Sequence, residues 1–294
     1  MPTDETRRAL LVINRHARNG SGLIDDVLDT LREGGIELVR PSNPDAPVAE
    51  QIAQSADGCD LVIIGGGDGT LNAAAPALIM AGLPVGILPL GTANDLAKTL
   101  GIPPNPVAAA LLIVSGTPHP MDVGVVNGHI FLNVASIGFS SELARQLSAE
   151  AKKKWGRLGY AITAFRLLRR LRRFVLYIEH DGERMMVKTI QASVGNGRYY
   201  GGGMTVEQTA TADDGHLDFY SLEIRRWWKL LLLFPRLRRG THGATRDVRA
   251  FRTTAITLST RKPMPINTDG ELTTHTPAEF SIKPKALSVY SPER

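Results

Sequence analysis

Cysteine is almost absent from this chain, and its scarcity excludes a fold held together by internal disulfides. Cys59 is the only cysteine among 294 residues, so no intramolecular disulfide can form. The first residues, MPTDETRR, lack the apolar core of a signal peptide. Both absences favour a cytoplasmic protein.

Long uninterrupted apolar runs are also missing. The longest uncharged stretch, residues 69–94, would be long enough to cross a bilayer. It is divided into a helix, a turn and a strand by three prolines and three glycines, namely Pro76, Pro84, Pro89, Gly82, Gly86 and Gly91. We therefore expect no transmembrane span.

Hydrophobic residues make up 43% of the chain, enough for packed cores, and the length suggests two domains.

Two familiar phosphate-binding motifs are absent as well. The chain has no Gly-Lys dipeptide, which excludes a Walker A loop. The spacing Gly65-x-Gly67-x-Gly69 misses the dinucleotide fingerprint, because Thr70 stands where the last glycine belongs.

Residues 61–72, LVIIGGGDGTLN, carry a different phosphate-binding pattern. Four apolar residues predict a strand, the glycines a tight turn, and the Ala-rich continuation a helix. Glycines let backbone N–H groups approach a ligand, and a helix N-terminus offers unpaired amides and partial positive charge. Asp68 in this turn would repel a phosphate unless a divalent cation lay between them.

Three further motifs follow in the chain: PLGTANDLA at 89–97, DDGHLD at 213–218 and DGE at 269–271. Together with GGDGTLN at 66–72, they resemble the diacylglycerol kinase catalytic-domain family, which includes bacterial lipid kinases and sphingosine kinases. The resemblance covers most of the chain. It implies an enzyme that uses ATP and Mg²⁺ to phosphorylate the hydroxyl of a diacylglycerol-like lipid.

The resemblance also assigns roles to individual residues. Glu271 would be the general base, with Asp269 as a neighbouring carboxylate, while Asp68 and Mg²⁺ neutralise the phosphate oxygens. A structural Mg²⁺ would be held by the Asp214 carboxylate and the backbone carbonyls of Thr211 and His216. The expected nucleotide contacts are Asn14, Gly66, Gly67, Asp68, Gly69, Thr70, Leu71, Asn72 and Thr92.

Some positions depart from the family pattern or allow a simpler interpretation. Arg15 and Gln208 stand where the family usually has proline, and Pro41-Ser42 replaces a nucleotide-contacting threonine, so that contact is not expected. Thr92 could be a helix N-cap alone, or a cap that also contacts nucleotide. Asn94 and Asp95 could be simple first-turn residues.

Alternating strand and helix patterns, with helices expected from Thr70 and from Thr92, predict a doubly wound α/β domain in the first part of the chain. From about residue 123 the pattern becomes antiparallel, with hairpins at 123–134 and 174–190 and strands near 217–222, 250–257 and 279–282. The second strand of the first hairpin is expected at 129–134, and the last strand of the chain near 287–290. The predicted domains are a nucleotide-binding domain, 1–122 with 286–294 returning to it, and a β-sandwich lipid-substrate domain, 123–285. We expect the active site in the cleft between them.

Basic residues are concentrated in two segments that contain no acidic residue. Residues 152–173 and 225–240 hold 15 of the 34 Lys and Arg residues, which leaves 19 bases against 29 acids elsewhere. The first segment has helical apolar spacing that suits core packing, whereas Trp227-Trp228 in the second favours a membrane interface. We expect peripheral contact with an anionic membrane at the cytoplasmic inner face and no nucleic-acid partner; a homodimer is left open.

Two other functions remain open at this point. NAD kinases share GGDGT, so a soluble-substrate kinase is the main alternative, although the GTAND form of the second motif disfavours it. A nucleotide-regulated binding protein without catalysis is the other alternative, and the presence of Asp68 and Glu271 disfavours it. The lipid itself could be a diacylglycerol, phosphatidylglycerol, a sphingoid base or a polyprenol.

Overall fold

The computed structural model describes residues 6–14, 21–142, 172–196, 199–200, 204–205, 211–224 and 247–293. The chain divides into two compact units, the first formed by Met1–Val123 with Pro284–Arg294 and the second by Gly124–Lys283.

The first unit alternates strands and helices along the chain. Its elements are β1 (Arg7–Ile13), α1 (Ser21–Glu33), β2 (Ile36–Val39), α2 (Val48–Ser55), β3 (Leu61–Gly66), α3 (Asp68–Ala81), β4 (Val85–Pro89), α4 (Asp95–Thr99) and α5 (Pro106–Ser115). Strand β5 (Pro118–Val126) begins in this unit and ends in the second.

A parallel sheet forms the core of the first unit, in the order β2-β1-β3-β4. Every residue of β3 is buried, which explains its continuous apolar sequence. The carboxyl ends of β1, β3 and β4 lie at the same edge, so the loops that follow them are neighbours. The predicted doubly wound α/β fold is confirmed.

The second unit is built from antiparallel strands. They are β6 (His129–Phe131), β7 (Val134–Gly138), β8 (Phe174–His180), β9 (Glu183–Thr189), β10 (Gln191–Gly195), β11 (Tyr199–Tyr200), β12 (Met204–Thr205), β13 (Leu217–Leu222), β14 (Val248–Thr253), β15 (Ala255–Thr260), β16 (Pro265–Thr268), β17 (Glu271–His275) and β18 (Ala278–Tyr290). The last strand begins in the second unit and ends in the first, where Val289 pairs with Val85 of β4.

Two sheets of the second unit enclose its apolar core. One has the order β14-β13-β10-β7-β16-β17, and the other contains β15, β8, β9 and the first part of β18. Core side chains come from both sheets, among them Phe219 and Ile137 of the first and Ile178 and Phe280 of the second. The predicted β-sandwich is therefore confirmed, as is the hairpin β8–β9.

Several predicted element boundaries were wrong. The helix expected from Thr92 begins at Asp95, and the strand expected at 129–134 is divided into β6 and β7. The strand expected at 250–257 is also divided, because β14 pairs with β13 whereas β15 pairs with β8 of the other sheet. The strands expected at 279–282 and 287–290 are one continuous strand, β18.

Candidate active site

The glycine turn between β3 and α3 has the form that the sequence predicted, although α3 begins two residues earlier than expected. Gly67 is the N-cap of α3, and its carbonyl accepts hydrogen bonds from the N–H groups of Thr70 (3.0 Å) and Leu71 (3.1 Å). A Cβ on Gly66 would lie 2.6 Å from the Thr70 side chain, so packing requires that glycine. Gly69 differs, because it is exposed and a Cβ there would meet no atom of the described residues within 4 Å.

The open position of Gly69 suggests that a ligand can approach the start of α3. Glycine inside a helix is unfavourable by about 1 kcal/mol relative to alanine, and no atom of a described residue excludes a side chain here. A ligand that approaches the helix N-terminus closely would exclude one. The first turn of α3 can therefore accept an anion against its backbone N–H groups.

Asp68 links α3 to α4. Its Oδ1 atom accepts a hydrogen bond from the backbone N–H of Leu96 at 3.0 Å. Its Oδ2 atom has no hydrogen-bond partner among the described residues. One carboxylate oxygen thus links α3 to α4, and the other is bound by none of the described residues.

The loop after β4 is shaped by Asn94, which the sequence suggested could be a simple first-turn residue. That interpretation was wrong, because Asn94 has a left-handed backbone (φ 51°) and precedes the helix. Its side chain accepts from the N–H of Gly91 at 3.0 Å and donates to the Gly91 carbonyl at 3.1 Å. Asn94 therefore folds the loop back on itself, which is why α4 starts only at Asp95.

Thr92 lies on this loop and is exposed. Asn94, two residues further on, is the N-cap of α4, so the interpretation of Thr92 as a helix cap is wrong. Its hydroxyl remains a candidate contact for nucleotide.

Three more predicted nucleotide-binding residues lie on or next to α3. Asn14, at the end of β1, donates from Nδ2 to Oγ1 of Thr70 at 3.0 Å, which joins the first loop to the glycine turn. Leu71 is buried in the core, so only its backbone can face a ligand. The Oδ1 atom of Asn72 is buried without a hydrogen-bond partner among the described residues. The rest of the first loop, including Arg15, lies outside the described residues.

The predicted base, Glu271, lies in the second unit at the start of β17. Its side chain is exposed, and its carboxylate accepts no hydrogen bond from a described residue. Asp269, expected to act as a neighbouring charge, instead binds backbone N–H groups of residues 132–134. The sequence pattern gave no sign of that contact, because its two parts are more than 130 residues apart.

The predicted structural metal ligands lie in the turn before β13. Asp214 accepts from the His216 N–H at 3.0 Å through Oδ1, and its Oδ2 pairs with the Arg252 guanidinium at 2.9 Å. Arg252 also pairs with Asp218 at 3.1 Å, an ion-pair network that the sequence did not predict. Among the described residues, no three His, Cys, Asp or Glu side chains cluster as metal ligands would. The predicted set, one carboxylate and the carbonyls of Thr211 and His216, is not of that kind.

The predicted membrane-contact segments are largely outside the described residues. Of the basic segment 152–173 only Arg172 and Arg173 are described, and the Trp-containing segment 225–240 is not. The same holds for Gln208. In the described part, every helix is too short or too polar to span a membrane.

Comparison with known proteins gives two matching domain families. Residues 8–126 match the diacylglycerol kinase catalytic domain, and residues 133–291 match the YegS C-terminal NAD kinase beta sandwich-like domain. These two matches correspond to the α/β part and the antiparallel part of the fold.

Relatives over nearly the whole chain are named as lipid kinases. The chain is 35% identical over 272 residues to a diacylglycerol kinase of Mycobacterium tuberculosis (strain ATCC 25618 / H37Rv), covering 89% of this chain and 87% of that protein. It is 32% identical over 292 residues to a "probable lipid kinase YegS-like" protein of Pseudomonas fluorescens, covering 98% and 96%.

A solved structure agrees. A Bacillus anthracis str. Sterne protein, provisionally described as a diacylglycerol kinase, has a TM-score of 0.84 and 26% identity, and the match covers 99% of this chain and 97% of that one. The chain therefore belongs to the diacylglycerol kinase catalytic-domain family of lipid kinases, and it is a phosphotransferase whose acceptor is an alcohol group.

Proposed function

We propose that this enzyme transfers the γ-phosphate of ATP, with Mg²⁺, to the hydroxyl of a diacylglycerol-like lipid. The observation that carries the proposal is the start of α3, where exposed Gly69 lies beside an Asp68 carboxylate oxygen without a described partner. In a lipid kinase family, a helix N-terminus that can bind an anion, next to a carboxylate, suits the binding of a nucleotide with its metal ion.

The nucleotide phosphates would bind at the N-terminus of α3. Its first N–H groups are unpaired by the helix itself, and the helix dipole adds partial positive charge. Gly69 leaves room for close approach, while Gly67 and Thr70 fix the turn. Asn14 and Thr92 would contribute side-chain contacts from the two neighbouring loops.

Mg²⁺ would be held by Asp68. The donor set fits a hard cation, because Asp68 offers a carboxylate oxygen and Asn72, four residues later on the same helix face, has a buried amide oxygen without a described partner. When bound, the ion neutralises phosphate oxygens and so lowers the barrier to transfer. Asp68 therefore has two tasks, since its Oδ1 also holds α4.

Glu271 would be the general base. The acceptor hydroxyl must lose a proton as it attacks, and a carboxylate with no other hydrogen-bond partner can take it. Exposure of Glu271 and the absence of a described partner support this role.

A second, structural Mg²⁺ is proposed at the turn before β13, with the Asp214 carboxylate and the carbonyls of Thr211 and His216 as ligands. The local charge supports a cation, because Asp213 adjoins Asp214 in the turn, and Asp214 and Asp218 share the same guanidinium, that of Arg252. The ion would stabilise the folded turn and take no part in the reaction.

The first unit would thus bind the nucleotide, and the second would receive the lipid. The names of the relatives, diacylglycerol kinase and lipid kinase, support a lipid acceptor over the NAD kinase alternative. A diacylglycerol-like lipid hardly leaves the bilayer, so we propose peripheral binding to an anionic membrane.

The test is phosphate transfer from γ-labelled ATP to vesicles of a total lipid extract. We expect one lipid class to gain label, and only with Mg²⁺. The matched control is Asp68→Asn, which keeps an acceptor for the Leu96 N–H but removes the charge that would hold the ion. Label on added NAD with none on lipid would instead support the soluble-substrate alternative.

A further inference from the structure

The hairpin that carries Glu271 pairs with β7 through β16, and one carboxylate, that of Asp269, attaches its turn to the segment before β7. Asp269 Oδ2 accepts from the Leu132 N–H at 2.6 Å, and Oδ1 accepts from the N–H groups of Asn133 (3.0 Å) and Val134 (2.9 Å). The Asp269 N–H in turn donates to the Val134 carbonyl at 3.0 Å. Three of these four bonds end on an ionised group, and such bonds are stronger than neutral ones, so Asp269 is held closely.

The segment that receives Asp269 is itself held in place. Leu132 and Asn133 lie between β6 and β7 and are buried. The Asn133 carbonyl accepts from the Asn196 N–H at 2.8 Å, and the Leu132 carbonyl accepts from Asn196 Nδ2 at 3.1 Å. Asp269 and Asn196 therefore satisfy both the donors and the acceptors of a buried backbone segment, as buried polar groups require. This is why β6 stops at Phe131.

On the hairpin side, the turn has a geometry that few sequences adopt. Asp269 and Gly270 both have left-handed backbones, with φ of 49° and 105°. Gly270 donates to Asn267 Oδ1 at 3.0 Å, and Glu271 follows directly, paired with the buried Thr268. The position of Glu271 is thus set by a turn whose only described side-chain attachment to the β6–β7 segment is Asp269.

We propose that Asp269 is a positioning residue, which anchors the turn so that the Glu271 carboxylate is held in one place for proton transfer. The inference rests on the proposed role of Glu271 as base. It replaces the expectation that Asp269 acts on Glu271 through its charge. Misplacing a reacting group by about 1 Å can cost roughly 100-fold in rate, so the anchor should matter to turnover more than to binding.

A double-mutant cycle tests the proposal, with labelled phosphate transfer to the total lipid extract as readout. Asp269→Asn keeps the size of the side chain but places an N–H₂ group against backbone donors. We expect a fall in kcat of about 10- to 100-fold, with KM for ATP unchanged within about twofold. Because Asp269 acts through Glu271, the Asp269→Asn/Glu271→Gln double variant should be no slower than Glu271→Gln alone.

Thr189→Val is the matched control, because it should lower the stability of the same unit at a site that has no link to the turn. Thr189 is fully buried in the same unit, and its hydroxyl donates to backbone carbonyls of Gln191 and Leu222. We expect a lower melting temperature and nearly normal kcat. If Asp269→Asn fails to fold, Gly270→Ala strains the same turn without a clash, and its kcat should fall more than that of Thr189→Val.

The outcomes separate this inference from the proposed function. If Glu271→Gln retains wild-type turnover, the proposed base is wrong. If Glu271→Gln is slow but Asp269→Asn and Gly270→Ala turn over like Thr189→Val, the positioning role is wrong. Additive losses in the double variant would equally overturn it, since they would mean that Asp269 acts independently of Glu271.

Discussion

The Gly67 Cα lies so close to Gly91 that no side chain fits there. A Cβ built on Gly91 would lie 2.4 Å from that atom and 2.6 Å from Asn94 Oδ1. Real contacts of this kind are not made at such distances, so the two loops that follow β3 and β4 meet through bare backbone. The contact joins two of the motifs on which the family resemblance rests.

Two glycine substitutions should therefore have opposite effects on stability. Gly91→Ala should destabilise the protein by about 1–3 kcal/mol, because the added methyl group forces the two loops apart. Gly69→Ala should stabilise the fold by up to about 1 kcal/mol, because the site is open and alanine favours the helix. Thermal unfolding measures both.

ATP binding distinguishes the two variants further. If phosphate approaches the backbone at Gly69, the methyl group of Gly69→Ala should weaken ATP affinity by about tenfold or more, a loss of about 1.4 kcal/mol. Unchanged affinity of a stable Gly69→Ala variant, measured by calorimetry, would remove the start of α3 from the proposed nucleotide site.

Local patterns explain what the sequence could predict. The strand 61–64, the glycine turn and the following helix are each determined by residues within a few positions of one another. Doubly wound topology then follows from the alternation of strands and helices, and it places the turns after β1, β3 and β4 at one edge. The Asn14–Thr70 hydrogen bond is the observed result.

Distant partners explain what the sequence could not predict. The sequence predicts that Leu132 and Asn133 belong to a strand, but their N–H groups donate to the carboxylate of Asp269. The family resemblance predicts Asp214 as a metal ligand, but it gives no sign that this carboxylate pairs with Arg252, 38 residues away. No periodicity in a single sequence carries information about such pairs.

Glu271→Gln should abolish phosphate transfer. The amide has nearly the same shape but cannot accept the proton, so we expect turnover to fall by roughly 10²–10⁴-fold. ATP affinity and melting temperature should hardly change, because the side chain is exposed and has no described partner. If Glu271→Gln retains most of the wild-type turnover, the assignment of Glu271 as the general base is wrong.

Chelation tests the structural cation. An ion present at 100 times its Kd stabilises the fold by about 2.7 kcal/mol, so EDTA should lower the melting temperature of the wild type by several degrees. Asp214→Ala should lower both stability and activity. It also removes the pair with Arg252, so Asp214 variants alone cannot identify a metal.

Two variants separate these effects. Asp214→Asn keeps an acceptor for the His216 N–H and should not respond to EDTA, whereas Arg252→Gln keeps the carboxylate and should still respond. An EDTA response that is the same in the wild type and in Asp214→Asn, or absent from both, would argue against the site.

Membrane attachment should depend on residues 225–240. Each Lys or Arg near an anionic leaflet contributes about 1 kcal/mol, so four of the six there would give about 4 kcal/mol, equivalent to millimolar binding. Burial of Trp227 or Trp228 at the interface could add about 2 kcal/mol, which brings attachment into the range of tens of micromolar. Such binding is reversible, as suits an enzyme that visits a bilayer and leaves it.

We therefore expect sedimentation with anionic but not with neutral liposomes, weakened by salt because the attraction is screened. Replacing Arg225 and Arg226 with Gln and both Trp227 and Trp228 with Ala should reduce liposome binding and turnover on vesicles, while ATP binding persists. A folded quadruple variant that binds vesicles as well as the wild type would mean that this segment packs internally. The basic segment 152–173 would then be the surface to test, by replacing Lys152, Lys153 and Lys154 with Gln in the same assay.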